Sequence, residues 1–117
     1  MDKTSTNGAG PLHRWRREID RIDNELLRLL NERAKVACEL GAVKIAAGLP
    51  AYDGKRERQV LARIRADNPG PLGPESVTRI FHRIILESRR IGIWSMQQQR
   101  PKRSVVKKLN QEHRNGN

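Results

Sequence analysis

The sequence predicts an all-α protein of three helices, one long, one short and one of intermediate length. Three observations carry this. The stretch from Leu12 to Ala47 has no proline, a single glycine (Gly41) and strong helix formers almost throughout. Within it, apolar or small residues recur at Ile19, Ile22, Leu26, Leu29, Val36, Leu40, Val43 and Ala47, in alternating steps of three and four. Prolines and glycines gather at the end of this stretch and between the later periodic segments, and nothing reads as a strand.

The long helix sets the assembly. One slot of its seam, between Leu29 and Val36, holds Arg33, and a charge in an apolar seam costs free energy unless it is paired. At ~1.5 Å per residue the helix would run about 54 Å, more than a compact monomer of 117 residues can cover. Partner helices are required, most simply those of a second copy, so the expected architecture is an intertwined helical homodimer.

The elements follow in order. Residues 1–11 read as a polar, disordered lead, with Pro11 where a helix begins and its missing N–H is no loss. Gly48-Leu49-Pro50 ends the long helix. After the short crossing Ala51-Tyr52, Asp53 is a candidate N-cap for a second helix with the stripe Val60, Leu61 and Ile64. The segment 68–74 (NPGPLGP) cannot continue it. A third helix is expected from near Glu75, with Val77, Ile80, Phe81, Ile84, Ile85, Ser88 and Ile91 on one face; Gly92 weakens it and Pro101 closes it. The expected domain is residues 12–98, followed by a basic, disordered tail over 99–117.

Composition narrows the class. Aromatics are 3%, so the core is aliphatic and gains from oligomerisation. The net charge of +11 divides into 18 basic against 12 acidic residues over 1–92, and 6 against 1 over 93–117. That balance favours anionic partners without choosing between metabolites, nucleic acid and acidic surfaces. A base-stacking surface would need more aromatics than this, which argues against nucleic acid. Cys38 is the only cysteine, so neither an intrachain disulfide nor a cysteine metal cluster can form. The first ten residues lack an apolar signal core, and no apolar run approaches the ~20 residues of a membrane span. The expectation is a cytoplasmic protein.

Several charges invite a functional reading. Arg33 and Lys44 are eleven residues apart, almost three whole turns at 3.6 residues per turn, and so share a helix face. Arg16 lies seventeen residues before Arg33, roughly 100° around the helix; it could instead address the pocket of an antiparallel partner. Asp53, Arg56 and Glu57 open the second helix, and Ser88 is a hydroxyl in an apolar stripe. Each has an ordinary explanation: a snorkelling interface arginine for Arg33, a helix-end lysine for Lys44, an N-cap for Asp53, a first-turn acid for Glu57, surface charge for Arg16 and back-bonding for Ser88.

Taken together, I-D-x-I-D-x-E-L-L-x-L-L-N-E-R, the downstream lysine, L-P-x-Y-D-x-x-R-E and I-F-x-x-I-I-x-E-S-R resemble the all-helical chorismate mutases (AroQ class) over roughly Leu12 to Gly92. The resemblance implies three helices per chain, a homodimer with two active sites, and an arginine in each site from the partner's long helix. By position, Arg16 resembles that donated arginine, which grips a substrate carboxylate. Arg33 resembles the arginine for the other carboxylate, and Lys44 the lysine at the ether oxygen. Asp53 and Glu57 resemble the carboxylates that hold the substrate hydroxyl, with Arg56 beside them, and Ser88 the serine that supports a carboxylate. One position departs from the pattern. Four residues after the serine the family usually carries glutamine or glutamate at the ether oxygen, and here stands Gly92.

The implied reaction is the intramolecular [3,3] rearrangement of chorismate to prephenate in phenylalanine and tyrosine biosynthesis. It needs no cofactor, metal or nucleophile. Isochorismate pyruvate-lyases and aminodeoxychorismate mutases resemble the same scaffold, and the intact L-P-x-Y-D-x-x-R-E stretch favours the mutase. A different class, a non-catalytic helical module that binds a partner enzyme or nucleic acid, draws support from the basic tail and from Gly92. The tail could also dock an active enzyme on another shikimate-pathway protein.

Overall fold

The computed structural model describes residues 10–99 and contains three helices: α1 (Gly10–Ala47), α2 (Gly54–Asp67) and α3 (Pro74–Gln99). No strand occurs among the described residues. The expected lead and tail fall outside them, apart from Gly10, Pro11 and Gln99. α1 begins two residues before the expected Leu12, and α3 one residue before the expected Glu75. α3 also runs straight through Gly92. A single glycine costs a helix only about 1 kcal/mol, and packing offsets that here. The chain divides between Arg33 and Ala34 into two units.

The first unit is the N-terminal part of α1. Its apolar positions are open: Leu12, Trp15, Ile19, Ile22, Leu26 and Leu29 are all exposed. Glu18, Arg21, Glu25, Arg28 and Glu32 form an ion ladder one position behind the seam. Arg21 Nε donates to Glu18 at 3.0 Å, and Arg28 Nη2 donates to Glu25 at 2.6 Å. These hydrogen bonds, then the arginine charges, hold the Glu18 and Glu25 carboxyls below their ordinary range.

The second unit holds the C-terminal part of α1 with α2 and α3. α1 ends in a Schellman motif. Gly48 takes φ +69°, a left-handed conformation that glycine adopts without a Cβ penalty. The Gly48 N–H donates to Ile45 O at 3.1 Å and the Leu49 N–H to Lys44 O at 2.9 Å, so two orphan carbonyls are satisfied. α2 starts at its expected cap, with the Arg56 N–H donating to Asp53 Oδ1 at 3.0 Å. Between α2 and α3, Asn68 donates to Leu72 O at 2.7 Å and accepts from the Gly70 N–H at 3.2 Å. Arg65 Nη1 donates to Thr78 Oγ1 at 3.1 Å, which ties the end of α2 to the first turn of α3.

The core is small and aliphatic: Val60, Val77 and Ile85 are buried. Phe81 and Ile84 are half-buried, whereas Ile80, expected in the same stripe, is exposed. α1 and α3 approach closely at glycines. A Cβ on Gly41 would lie 3.1 Å from Gly92 O, and one on Gly92 would lie 3.3 Å from Ala37 O. Both glycines are buried. Gly92 is therefore a helix-crossing residue in this fold, where the sequence alone showed only a missing side chain.

Candidate active site

Five of the expected site residues, Lys44, Asp53, Arg56, Glu57 and Ser88, belong to the second unit, and Asp53 is joined to Arg56 and Glu57 by hydrogen bonds at the start of α2. The Schellman motif turns the chain so that the Ala51 carbonyl faces the last turn of α1. Half-buried Lys44 donates from Nζ to Ala51 O at 3.0 Å. An ammonium has three protons to give, and this bond spends one of them on fixing the side chain. Two residues later Asp53 caps α2, and its Oδ1 is engaged by the Arg56 backbone. Capping sets where α2 begins and so where Glu57, one turn on, is presented. The Arg56 side chain is exposed.

Glu57 makes an ion pair that joins two helices. Its Oε2 lies 3.2 Å from Arg89 Nη1 on α3, with side chains 19% and 24% exposed respectively. The Arg89 guanidinium also sits over the Tyr52 ring, 4.6 Å from its centroid. Gly54 makes room for that ring, since a Cβ there would fall 2.6 Å from Tyr52 Oη. Ser88, next to Arg89 in the chain, is half-buried on α3.

Arg16 and Arg33 belong to the first unit. Arg16 is exposed on α1 and Arg33 half-buried. Reasoning from sequence assigned no role to Tyr52 or Arg89, although both stand inside the motifs L-P-x-Y-D and E-S-R. The signal was adjacency to Asp53 and Ser88. What it lacked was the register of α2 against α3, which the 68–73 loop sets. Among the described residues no group of His, Cys, Asp and Glu could hold a metal ion. No helix there is long and apolar enough to cross a membrane.

The arrangement thus offers a fixed lysine ammonium, a capped helix start presenting a carboxylate, and a cation holding that carboxylate from the neighbouring helix. Such a set suits an anionic, hydroxylated ligand. Comparison with known proteins places the chain independently of this geometry. The chain is 44% identical over 78 residues to a bifunctional chorismate mutase/prephenate dehydratase of Aquifex aeolicus, a match covering 63% of this chain and 22% of the relative. It is 47% identical over 72 residues to the protein of the same name from Neisseria gonorrhoeae, covering 62% and 19%. The chain therefore spans about a fifth of the length of these curated relatives. Among solved structures, chorismate mutase (form II) from Thermus thermophilus matches with a TM-score of 0.65 and 42% identity, over 66% of this chain and 88% of that one. The family model for chorismate mutase type II matches residues 15–92, and the chain belongs to that family.

Proposed function

We propose that this protein is a cytoplasmic isomerase that converts chorismate to prephenate, working as a homodimer and without a cofactor. The observation that carries the reading is the fixed Lys44 ammonium, 3.0 Å from the Ala51 carbonyl at the capped end of α1, in a chain of the chorismate mutase type II family.

In the rearrangement one C–O bond breaks as one C–C bond forms within the same molecule. No proton moves and no covalent intermediate with the protein arises. The protein must hold a flexible dianion in its compact conformer and stabilise negative charge growing on the ether oxygen. Arg33 binds one substrate carboxylate and the partner's Arg16 binds the other, each guanidinium matching a carboxylate bidentately. Ser88 supports a carboxylate from α3. Asp53 and Glu57 accept the ring hydroxyl, with Arg56 beside them. Lys44 places a point charge at the ether oxygen. Holding the compact conformer is the first contribution; the reaction is already unimolecular, so orientation acts by selecting that conformer and not by bringing two reactants together. A preorganised donor at the developing charge adds about 2.7–4 kcal/mol. With Gly92 in place of the family's glutamine or glutamate, that second contribution falls on Lys44.

The dimer reading rests on the first unit, whose Leu12, Trp15, Ile19, Ile22, Leu26 and Leu29 are exposed along α1. Covering such side chains contributes about 1.5–3 kcal/mol each when burial is complete, and a second copy of α1 supplies a matching row. The fused prephenate dehydratase named in the bifunctional relatives supports a partner enzyme of the same pathway for this chain.

Product identification tests the reading. Purified protein incubated with chorismate should yield prephenate on chromatography. Release of pyruvate, or turnover of isochorismate or aminodeoxychorismate in preference to chorismate, would replace it with one of the related activities.

A further inference from the structure

The site contains one charged group that the proposed mechanism leaves unused. Arg89 reaches from α3 to α2, pairs with Glu57 at 3.2 Å and lies over the Tyr52 ring at 4.6 Å. Its surroundings differ from those of the other arginine–glutamate pairs. Glu18–Arg21, Glu25–Arg28 and Arg83–Glu87 lie within one helix, with side chains 45% or more exposed. Pairs of that kind fix little, because solvent screens them and long side chains keep their freedom. The Arg89–Glu57 pair is largely covered, and its guanidinium is confined by an aromatic face. Gly54 leaves the space that the Tyr52 ring occupies. Two residues outside the ion pair are thus arranged to hold Arg89.

We propose that Arg89 is a positioning residue, which holds the Glu57 carboxylate through one oxygen so that the other accepts the substrate's ring hydroxyl. This rests on the chorismate reading above. Glu57 stands one helical turn beyond Asp53, so the two carboxylates start from the same side of α2. Without Arg89, Glu57 would sample several rotamers, and its hydroxyl contact would have to be ordered again at each binding event. The hydroxyl is remote from the bonds that break and form. The contact is therefore made equally in the bound substrate and the transition state, and losing it raises KM while leaving kcat in place.

The test is a double-mutant cycle on the intact protein with chorismate, with helical content checked for each variant. Partners that orient a metal-ligating side chain typically set metal affinity by about 10- to 100-fold; the same kind of support for a carboxylate that accepts a hydroxyl, in a partly exposed pair, belongs at the low end. Arg89→Met should raise KM about tenfold with kcat within threefold of the parent, and should cost nothing further in a Glu57→Gln background. Arg89→Lys, which keeps the charge, should hold KM within about threefold. If the Met variant fails to fold, Arg89→Gln, which also removes the charge, carries the cycle in both backgrounds. Unchanged KM, a fall confined to kcat, or losses that multiply in the double variant would overturn the role of Arg89 and leave the chorismate reading standing. Absence of prephenate from the parent protein would overturn both.

Discussion

Gly41 on α1 and Gly92 on α3 face each other, with the Gly92 carbonyl oxygen 3.1 Å from where a Cβ on Gly41 would stand. The crossing is tight from both sides, since a Cβ on Gly92 would come within 3.3 Å of Ala37 O. Cys38 Sγ lies 3.8 Å from Ile91 O at the same level. Position 92 therefore stands where the two helix backbones come together.

That relationship sets the sign of four substitutions. Gly→Ala gains about 0.8–1 kcal/mol of helix propensity, against about 1–3 kcal/mol for overpacking. Gly41→Ala meets both the Gly92 carbonyl at 3.1 Å and Met96 Cγ at 3.0 Å; Met96 can move, the carbonyl only with its helix. It should destabilise by roughly 1 kcal/mol, and Gly41→Val by more. Gly92→Ala, with its looser contact, should be close to neutral, whereas Gly92→Gln should cost about 1–3 kcal/mol. Urea unfolding checks the series. A Gly41→Val variant as stable as the parent would contradict the crossing.

Asp53 combines a structural duty with a proposed binding one, and two substitutions separate them. Asp53→Asn keeps an oxygen for the Arg56 N–H and should hold stability within a few tenths of a kcal/mol. Asp53→Ala should lose about 1 kcal/mol, as N-cap removals do. Both should raise KM for chorismate, because both remove the carboxylate. Equal thermal stability of the two variants would show that the cap contributes little.

The Glu18–Arg21 and Glu25–Arg28 pairs predict an acid response. Their carboxyls titrate lower in the folded chain than in the unfolded one. The stability they contribute is therefore fully present above the unfolded value of about 4.3 and is lost as pH falls through the lower folded values. Melting temperature measured against pH should hold down to about pH 5 and then decline. The decline should weaken in 1 M salt, where the screening length is about 3 Å. A Glu18→Gln, Glu25→Gln variant should decline less steeply, and an identical acid limb would contradict the ladder.

Much of this architecture was legible in the sequence. Steps of three and four marked α1, and Gly48, Asp53 and the 68–74 loop marked its end, the start of α2 and the break before α3. These signals are local, so they survive without tertiary information. Helix ends moved by one or two residues because terminal turns extend past the periodic seam. Asp53 was readable as a cap because capping needs only neighbours in sequence. The Arg89–Glu57 pair and the Gly41–Gly92 crossing were not readable. Both depend on how one helix slides along another, which no local pattern carries. Ile80 fits the stripe by spacing and is nonetheless exposed, since periodicity reports a face without stating how far the neighbouring helix extends over it.

The proposed donation of Arg16 to the partner chain's site predicts complementation. Arg16→Ala and Lys44→Ala homodimers should each be nearly inactive. Unfolding and refolding an equal mixture should make half of the dimers mixed, and each mixed dimer should hold one site with both defects and one intact site. About a quarter of wild-type activity should return. No recovery from a mixture shown to exchange subunits would place Arg16 and Lys44 in the same chain's site, or Arg16 outside the site.

Lys44 has the central role proposed for this site, stabilising the negative charge that grows on the ether oxygen of chorismate as the C–O bond breaks. That role is tested most directly by the rate at which chorismate's ultraviolet diene absorbance disappears with the parent protein and with Lys44→Ala. The α1 cap uses backbone groups at Lys44, Ile45, Gly48 and Leu49, so the variant should keep its helices and lose only the side-chain bond to Ala51. Turnover should fall by about 10²–10³. A folded Lys44→Ala protein that converts chorismate to prephenate at the parent's rate would contradict the account.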